Sequence, residues 1–180
     1  MAAFKFTNLE RRLDSFGKYI VKQARTNLTK GKKNVNKSLY NSIKFKVSKS
    51  AKGIDVTFFM LGYGSFVDKG VSGNEVRREY RNWKGQKGAS PFAYKSKQPP
   101  SGVIEKWISQ RKIKGRDVKG RFITNKSLAF LIGRSIKLKG IKSTSFFQRP
   151  MELAMKRFGK DILISIKEDV MKELKASVKK

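Results

Sequence analysis

Acidic residues are the first side chains to weigh for chemistry, because only they could hold a catalytic metal here. Two-metal hydrolysis of a phosphodiester needs carboxylates that converge on divalent ions. The best set is Asp55 with Glu75 or Glu79, and Glu105-Lys106 weakly resembles an acid-x-Lys motif. No spacing among them is diagnostic of a nuclease. We interpret these acids as solvated partners of the surrounding Lys and Arg residues, and we expect no catalytic and no metal-binding residue.

Other catalytic groups are scarce. The 180-residue sequence has no His and no Cys, which excludes zinc fingers, disulfides, thiol nucleophiles and imidazole bases. Gly62-Tyr63-Gly64 lacks the third glycine of a dinucleotide-binding turn and the Gly-Lys-Ser/Thr ending of a P-loop. We therefore expect that the chain is not an enzyme, and that it takes no cofactor and no small-molecule substrate.

The charge points to polyanionic partners. The sequence has 43 Lys+Arg and 13 Asp+Glu, a formal net charge of +30. On a folded monomer this is about one uncompensated positive charge per 300 Å² of surface. Such a surface attracts nucleic acid or acidic protein. No apolar run reaches the roughly 18 residues of a membrane-spanning helix, so we expect no membrane partner.

Much of this charge falls in two predicted loops, residues 69–98 and 111–126. The first also carries the aromatic residues Tyr80, Trp83, Phe92 and Tyr94. These rings either pack on the chain's own domain or a neighbouring subunit, or they stack on single-stranded bases; the lack of a nucleic-acid-binding motif favours packing. The cations that we take as candidates for interface or DNA contacts are Arg77, Arg78, Arg81, Lys84, Lys87, Arg111, Lys112, Lys114, Arg116, Lys119 and Arg121.

The first half of the chain predicts a helix and a β-hairpin that would position these loops. Apolar residues recur at three- and four-residue steps over residues 8–28, with Asn8 as the expected N-cap. A single helical turn is expected around Ser38-Leu39-Tyr40. The period then becomes two over residues 43–60, which is typical of a hairpin. Its inward face, expected to pack on helices 8–28 and 126–139, comprises Ile43, Phe45, Val47, Ile54, Val56 and Phe58.

The second half predicts three helices. Pro99-Pro100 begins the first, residues 126–139 form the second with Gly140 as its C-terminal cap, and Pro150 opens a long third helix. Alternating Ile162, Ile164 and Ile166 also fit a strand, but the longer helical register is favoured. The expected buried stripes are Val103, Ile104, Trp107 and Ile108; Leu128, Leu131, Ile132, Ser135 and Ile136; and Met151, Met155, Phe158, Ile162, Ile166, Val170 and Leu174.

Together these elements predict a single α+β domain spanning residues 1–180, with a core over about residues 8–175. Its order is an N-terminal amphipathic helix, an antiparallel β-hairpin, a long basic loop and then three helices, the last one long.

Several segments also carry a family resemblance. They are Pro99-Pro100 with Ile104 and Trp107-Ile108, the run Leu128 to Ile132, Gly140-Ile141 with Thr144, and Phe146-Phe147 leading to Pro150. In the first half, Gly62-Tyr63-Gly64 precedes Phe66-Val67-Asp68-Lys69-Gly70. Over most of residues 8–175 the chain resembles the head–tail joining and tail-completion (neck) proteins of tailed bacteriophages, which include minor tail protein Z-like proteins. Two features depart from that pattern: the unusually positive charge and the insert at residues 112–125.

The resemblance implies a non-catalytic virion structural protein, located in the neck or tail region and in the host cytoplasm during assembly. It implies a homo-oligomeric ring between portal or connector proteins and tail proteins, with the packaged DNA end as a further candidate contact. The family-motif residues expected in the core are Trp107, Phe130, Phe146, Phe147 and Pro150. The alternative from composition alone is a non-enzymatic nucleic-acid-binding protein of ribosomal or nucleoid type, in which high charge without Cys or His is also ordinary.

Overall fold

The computed structural model describes residues 6–33, 36–50 and 53–178 and has the predicted α+β fold. Within these residues no helix is long and apolar enough to span a membrane. The elements are α1 (Thr7–Lys30), α2 (Ser38–Ser42), β1 (Lys44–Ser50), β2 (Gly53–Phe59), α3 (Gly64–Lys69), β3 (Glu79–Arg81), β4 (Lys87–Ala89), α4 (Ser101–Arg111), α5 (Asn125–Lys139) and α6 (Gln148–Val178).

The main core lies between α1 and α6. The α1 stripe that periodicity predicts is buried, with Phe16, Ile20, Ala24 and Leu28 at four-residue steps. The ring of Phe158 on α6 meets Phe16 edge-on at 6.1 Å between centroids. Other buried members of this core are Leu39, Ile43, Phe146, Phe147 and Ala154.

A carboxylate from α6 caps the start of α1. Asn8 is not the N-cap, as the sequence predicted; Phe6 occupies that position and Asn8 lies in the first turn. The backbone N–H groups of Asn8 and Leu9 instead donate to the buried carboxylate of Asp169, at 3.2 and 2.9 Å. A tertiary contact between residues 160 positions apart thus replaces the local side-chain cap.

The predicted hairpin is present, and its strands pair with Phe45 opposite Phe58 and Val47 opposite Val56. These residues are half-buried, as is Ser48, whereas their neighbours Lys44, Lys46, Asp55 and Thr57 are exposed. The turn at residues 51–52 lies outside the described residues. The hairpin packs on α1, where Phe45 lies so close to Gly17 that a Cβ there would be 2.3 Å from the ring. The predicted packing on residues 126–139 is wrong, because α5 packs on α4 instead.

α4 and α5 form a second, smaller core from Ile104, Ile108 and Ala129. Here the predicted stripes are partly wrong. Small residues of α5, Ala129 and Gly133, face α4, so the two helices lie close together and bulky side chains fall outside. The residues predicted as buried but exposed are Val103, Trp107, Leu131 and Ser135, together with the family-motif residue Phe130.

The predicted loop at residues 69–98 contains ordered structure. Strands β3 and β4 form a short antiparallel hairpin, and Ser72 bridges Ala93 in parallel. The six-residue helix α3, just before it, was missed because its sequence has too few apolar positions to show a period. The polar, glycine-rich composition concealed both features.

α6 is one continuous helix of 31 residues, so the helical register predicted for its isoleucines is confirmed over the strand alternative. Its buried positions are Pro150, Glu152, Ala154, Ser165 and Asp169. Met155 and Leu174, predicted to be buried, are exposed. Two of the buried polar side chains are held by other elements, Asp169 by the start of α1 and Glu152 by β3, whereas Ser165 donates to Asp161 O within α6.

Candidate assembly and nucleic-acid interface

Asp68 joins two motif segments that are far apart in sequence. Its side chain is buried, and its Oδ1 accepts hydrogen bonds from the backbone N–H groups of Phe147 at 2.8 Å and Gln148 at 3.3 Å. These groups lie at the start of α6, where a carboxylate is favoured by the helix dipole. Burial raises the pKa of Asp68, and the two backbone hydrogen bonds oppose that rise. Asp68 therefore fixes where α6 begins.

The backbones on either side of Asp68 bond to the same segment. Val67 O accepts from Thr144 N at 3.1 Å, and Asp68 O accepts from Ser145 N at 2.9 Å. Val71 and Ile141 exchange a pair of backbone hydrogen bonds. Gly140 has a φ of 69° and lies so close to Val71 that a Cβ atom on residue 140 would be 2.2 Å from the carbonyl oxygen of Val71. The segments 66–71 and 140–148 thus form one interlocked unit, which we call the motif junction.

A second buried carboxylate fastens the small hairpin to α6. Arg81 on β3 forms a bidentate salt bridge with Glu152, in which Nε donates to Oε2 and Nη2 donates to Oε1, both at 3.1 Å. Lys156 donates to the same carboxylate at 2.9 Å. Hydrogen bonds from Lys156 and Arg81 hold the pKa of Glu152 below its ordinary value. Nearby, Arg78 Nε donates to Lys139 O at 2.8 Å.

The cations predicted as interface residues therefore separate into two groups. Arg78 and Arg81 make contacts within the chain that hold the small hairpin in place, and their predicted contact with a partner stays a prediction. Arg77, Lys84 and Lys87 are exposed. Lys84 lies over the ring of Trp83, which is itself 43% exposed. These residues remain candidates for contact with another molecule.

The insert at residues 111–126 is a turn built around Asp117. The backbone N–H of Arg121 donates to its carboxylate at 2.8 Å, and the guanidinium Nε does so at 2.9 Å. Hydrogen bonding by Arg121 and Lys119 lowers the pKa of Asp117. Arg116 lies 4.1 Å from the centroid of Phe122, with Lys114 at 5.6 Å. The turn thus presents cations on an exposed aromatic ring.

The root of this insert lies against the end of α1. Arg111 Nη2 donates to the carbonyl of Lys32, just after α1. Lys112 follows in the left-handed region, with φ 53°, and ends α4. This contact places Arg111, the first cation of the insert, beside Lys32, just after the C-terminal end of α1.

An aromatic groove lies beside the motif junction. It has a volume of about 720 Å³, and Phe66 meets Phe92 at 4.4 Å between ring centroids. Burial raises the pKa of the Tyr94 hydroxyl. Tyr63 and Phe66 are each 44% exposed, which is unusual for adjacent large rings. The remaining lining residues are Val67, Val71, Pro91, Ala93, Lys95 and Ile141.

α6 carries a second apolar surface on its outer side. Ile164, Met171, Leu174 and Val178 follow one another at steps of seven, three and four residues, a spacing that places them on one helix face. Their exposed fractions lie between 45% and 85%. We call this set the outer stripe of α6.

The acids considered for a nuclease do not come together. Asp55, Glu75 and Glu79 are exposed, and Glu105 lies half-buried on α4. Among the described residues, no group of three or more Asp or Glu side chains could hold a metal ion. The buried acids that the sequence did not single out, Asp68, Glu152 and Asp169, each bind backbone or cationic groups instead.

Comparison of the chain with protein-family models, curated proteins and solved structures gives no match.

Proposed function

We propose that the chain is a virion structural protein of a phage neck, which forms a ring joining portal or connector proteins to the tail. The motif junction carries this proposal. Two segments that carry the resemblance, 66–70 and 140–150, lie 70 or more residues apart and bind each other through Asp68. In this arrangement the motif residues maintain a scaffold, which is the role expected of them in an assembly protein.

Two separate apolar surfaces support a ring. The aromatic groove and the outer stripe of α6 have no residue in common and lie on different elements. A closed ring of identical subunits needs two unlike surfaces, because each subunit contacts one neighbour with one surface and the other neighbour with the second. A monomeric nucleic-acid-binding protein needs neither.

The charge favours a setting beside polyanions. Multiplied around a ring, +30 per chain is tolerated only where DNA or acidic neighbours offset the repulsion. Exposed cations at Arg77, Lys84 and Arg116 also fit the alternative, a nucleic-acid-binding protein of ribosomal or nucleoid type. The exposed apolar surfaces favour the neck protein over that alternative.

The first test disrupts the aromatic groove. Phe66→Asp places a carboxylate among apolar rings and should leave the purified chain monomeric under conditions where the wild type forms rings. The matched control Thr57→Asp adds the same charge on the exposed face of β2 and should assemble normally. Native mass spectrometry at increasing salt measures the distribution, because screening of the positive charge should favour ring formation.

The second test is genetic. Deleting the gene from the encoding phage genome should give DNA-filled heads and unattached tails, and wild-type protein supplied in trans should restore infectivity. Normal titres from the deletion would refute the neck assignment, and so would co-purification of the wild-type chain with ribosomal RNA in fixed stoichiometry.

A further inference from the structure

A second groove runs along α1 on the side away from the main core. It is formed by α1, α2 and the start of β1 and has a volume of about 690 Å³. Among the residues that the structure describes, its lining has four cations and no acid: Lys18, Lys22, Arg25 and Lys30, with Val21, Thr26, Thr29, Tyr40 and Phe45. None of these cations belongs to the two basic loops.

The cations follow the helix axis. Lys18, Lys22 and Arg25 are separated by four and three residues, so they lie on one face of α1. From Lys18 to Lys30 the helix rises about 18 Å. The buried stripe of α1 faces α6, on the opposite side of the helix. The groove is therefore an open row of positive charge.

Arg25 is oriented by hydrogen bonds to two backbone carbonyls. Its Nε donates to Tyr40 O at 3.1 Å and its Nη2 to Ile43 O at 3.0 Å, while the guanidinium lies 5.2 Å from the Tyr40 ring centroid. Both acceptors are neutral carbonyls, so no carboxylate neutralises this guanidinium, unlike that of Arg81. Lys18 pairs with Asp14 at 2.7 Å, but both side chains are exposed and such pairs are weak.

We propose that this groove binds the phosphodiester backbone of duplex DNA without reading its sequence. Four cations at steps of four, three and five residues along α1 complement a polymer that carries one charge per backbone unit. Among the described residues the lining has no Asn or Gln to read adenine and no Asp or Glu to read cytosine, and its Lys and Arg side chains can contact phosphates of any sequence. The one oriented guanidinium suits a phosphate, which it can contact through its remaining N–H groups.

The test compares two triple variants with the same net charge, +27, since each removes three of the 43 Lys and Arg charges from a chain of net charge +30. The groove variant is Lys18→Gln, Lys22→Gln, Lys30→Gln. The control is Lys160→Gln, Lys167→Gln, Lys172→Gln, three exposed positions on α6. Arg25 is left unchanged because it also holds α2. Thermal unfolding of each variant checks that the fold is retained.

Binding is measured by fluorescence anisotropy of a labelled 20-base-pair duplex between 50 and 300 mM NaCl. Each phosphate contact contributes about 0.9 to the slope of log K against log salt, so the groove variant should lose about two to three units of slope. Its affinity at 100 mM NaCl should fall roughly tenfold or more, and that of the control by less than about threefold.

Equal losses in both variants would overturn the proposal, since only the overall charge would then matter. A groove variant that keeps DNA affinity but loses binding to polyglutamate would also overturn it and assign the groove to an acidic protein. Because the assay uses the isolated chain, its failure is distinguishable from failure of the proposed neck function.

Discussion

Replacing Asp68 by Ala tests the motif junction most sharply among single substitutions. The change removes the acceptor for two N–H groups at the start of α6, and the N–H of Phe147 is then left in a buried position. Losing a helix cap costs about 1 kcal/mol, and a buried unsatisfied donor about 1–3 kcal/mol. We therefore expect the free energy of unfolding to fall by about 2–3 kcal/mol, which for a chain of this size lowers Tm by about 5–10 °C.

Two controls separate the cap from general charge effects. Asp68→Asn keeps an oxygen acceptor and should cost less than about 1 kcal/mol. Asp55→Ala removes an exposed carboxylate from β2 and should change stability by less than about 0.5 kcal/mol. Urea unfolding followed by circular dichroism gives all three values. If Asp68→Ala were as mild as Asp55→Ala, the junction would not hold α6 in place.

The pH dependence supplies an independent readout for the same residue. Because burial raises the pKa of Asp68, its protonated form is favoured in the folded state. This contribution to stability is present below the ordinary value of 3.8 and is lost as the pH rises through the raised folded pKa. Asp68→Asn cannot ionise, so the difference in stability between it and the wild type should change across that window.

Three further substitutions test other parts of the structure. Because the pKa of Glu152 is held down in the folded state, the wild type should lose stability as the pH falls below about 4.5, and Glu152→Gln should lack this loss. Urea unfolding between pH 3 and 6 measures both profiles. A wild-type profile no steeper than that of the variant would contradict the contact with Arg81. Val56→Asp should lower stability by about 1–3 kcal/mol by placing a charge on the half-buried hairpin face, and an unchanged Tm would show that the register is wrong. The double variant Arg77→Glu, Lys84→Glu should keep its fold by circular dichroism but fail to enter particles; normal incorporation, measured by mass spectrometry of purified particles, would mean that these cations are only solvated surface.

The elements with large apolar residues at regular steps could be predicted from the sequence. Ile20 and Leu28 lie at helical spacing on α1, and on the hairpin Phe45 and Val56 each lie between polar neighbours. Periodicity alone therefore identifies the inward faces of these elements. The same alternation predicted which side chains of the hairpin share one face. Nothing beyond the local pattern was needed there.

The α4–α5 contact could not be predicted in the same way. Its interface uses Ala129 and Gly133, whose small size allows close approach, while Trp107 and Phe130 lie outside. A pattern that ranks residues by hydrophobicity assigns the bulky ones to the core, and that assignment was wrong here.

The buried carboxylates were missed for a different reason. Asp68 and Asp169 bind backbone groups 79 and 160 residues away, and no local spacing indicates such partners. In a chain with so many cations, an acid is most simply interpreted as a solvated ion-pair partner. Likewise, Arg81 could not be distinguished from Arg77 by sequence, although only the first contacts Glu152.

The proposed role in a phage neck is tested most directly by cryo-electron microscopy of the intact particle that contains the chain. The account predicts density for the α1–α6 core and the motif junction in a ring of fixed rotational copy number between portal and tail. It also predicts that the aromatic groove of one subunit contacts the next. Absence of the chain from purified infectious particles, or its location outside the neck and tail, would contradict the account.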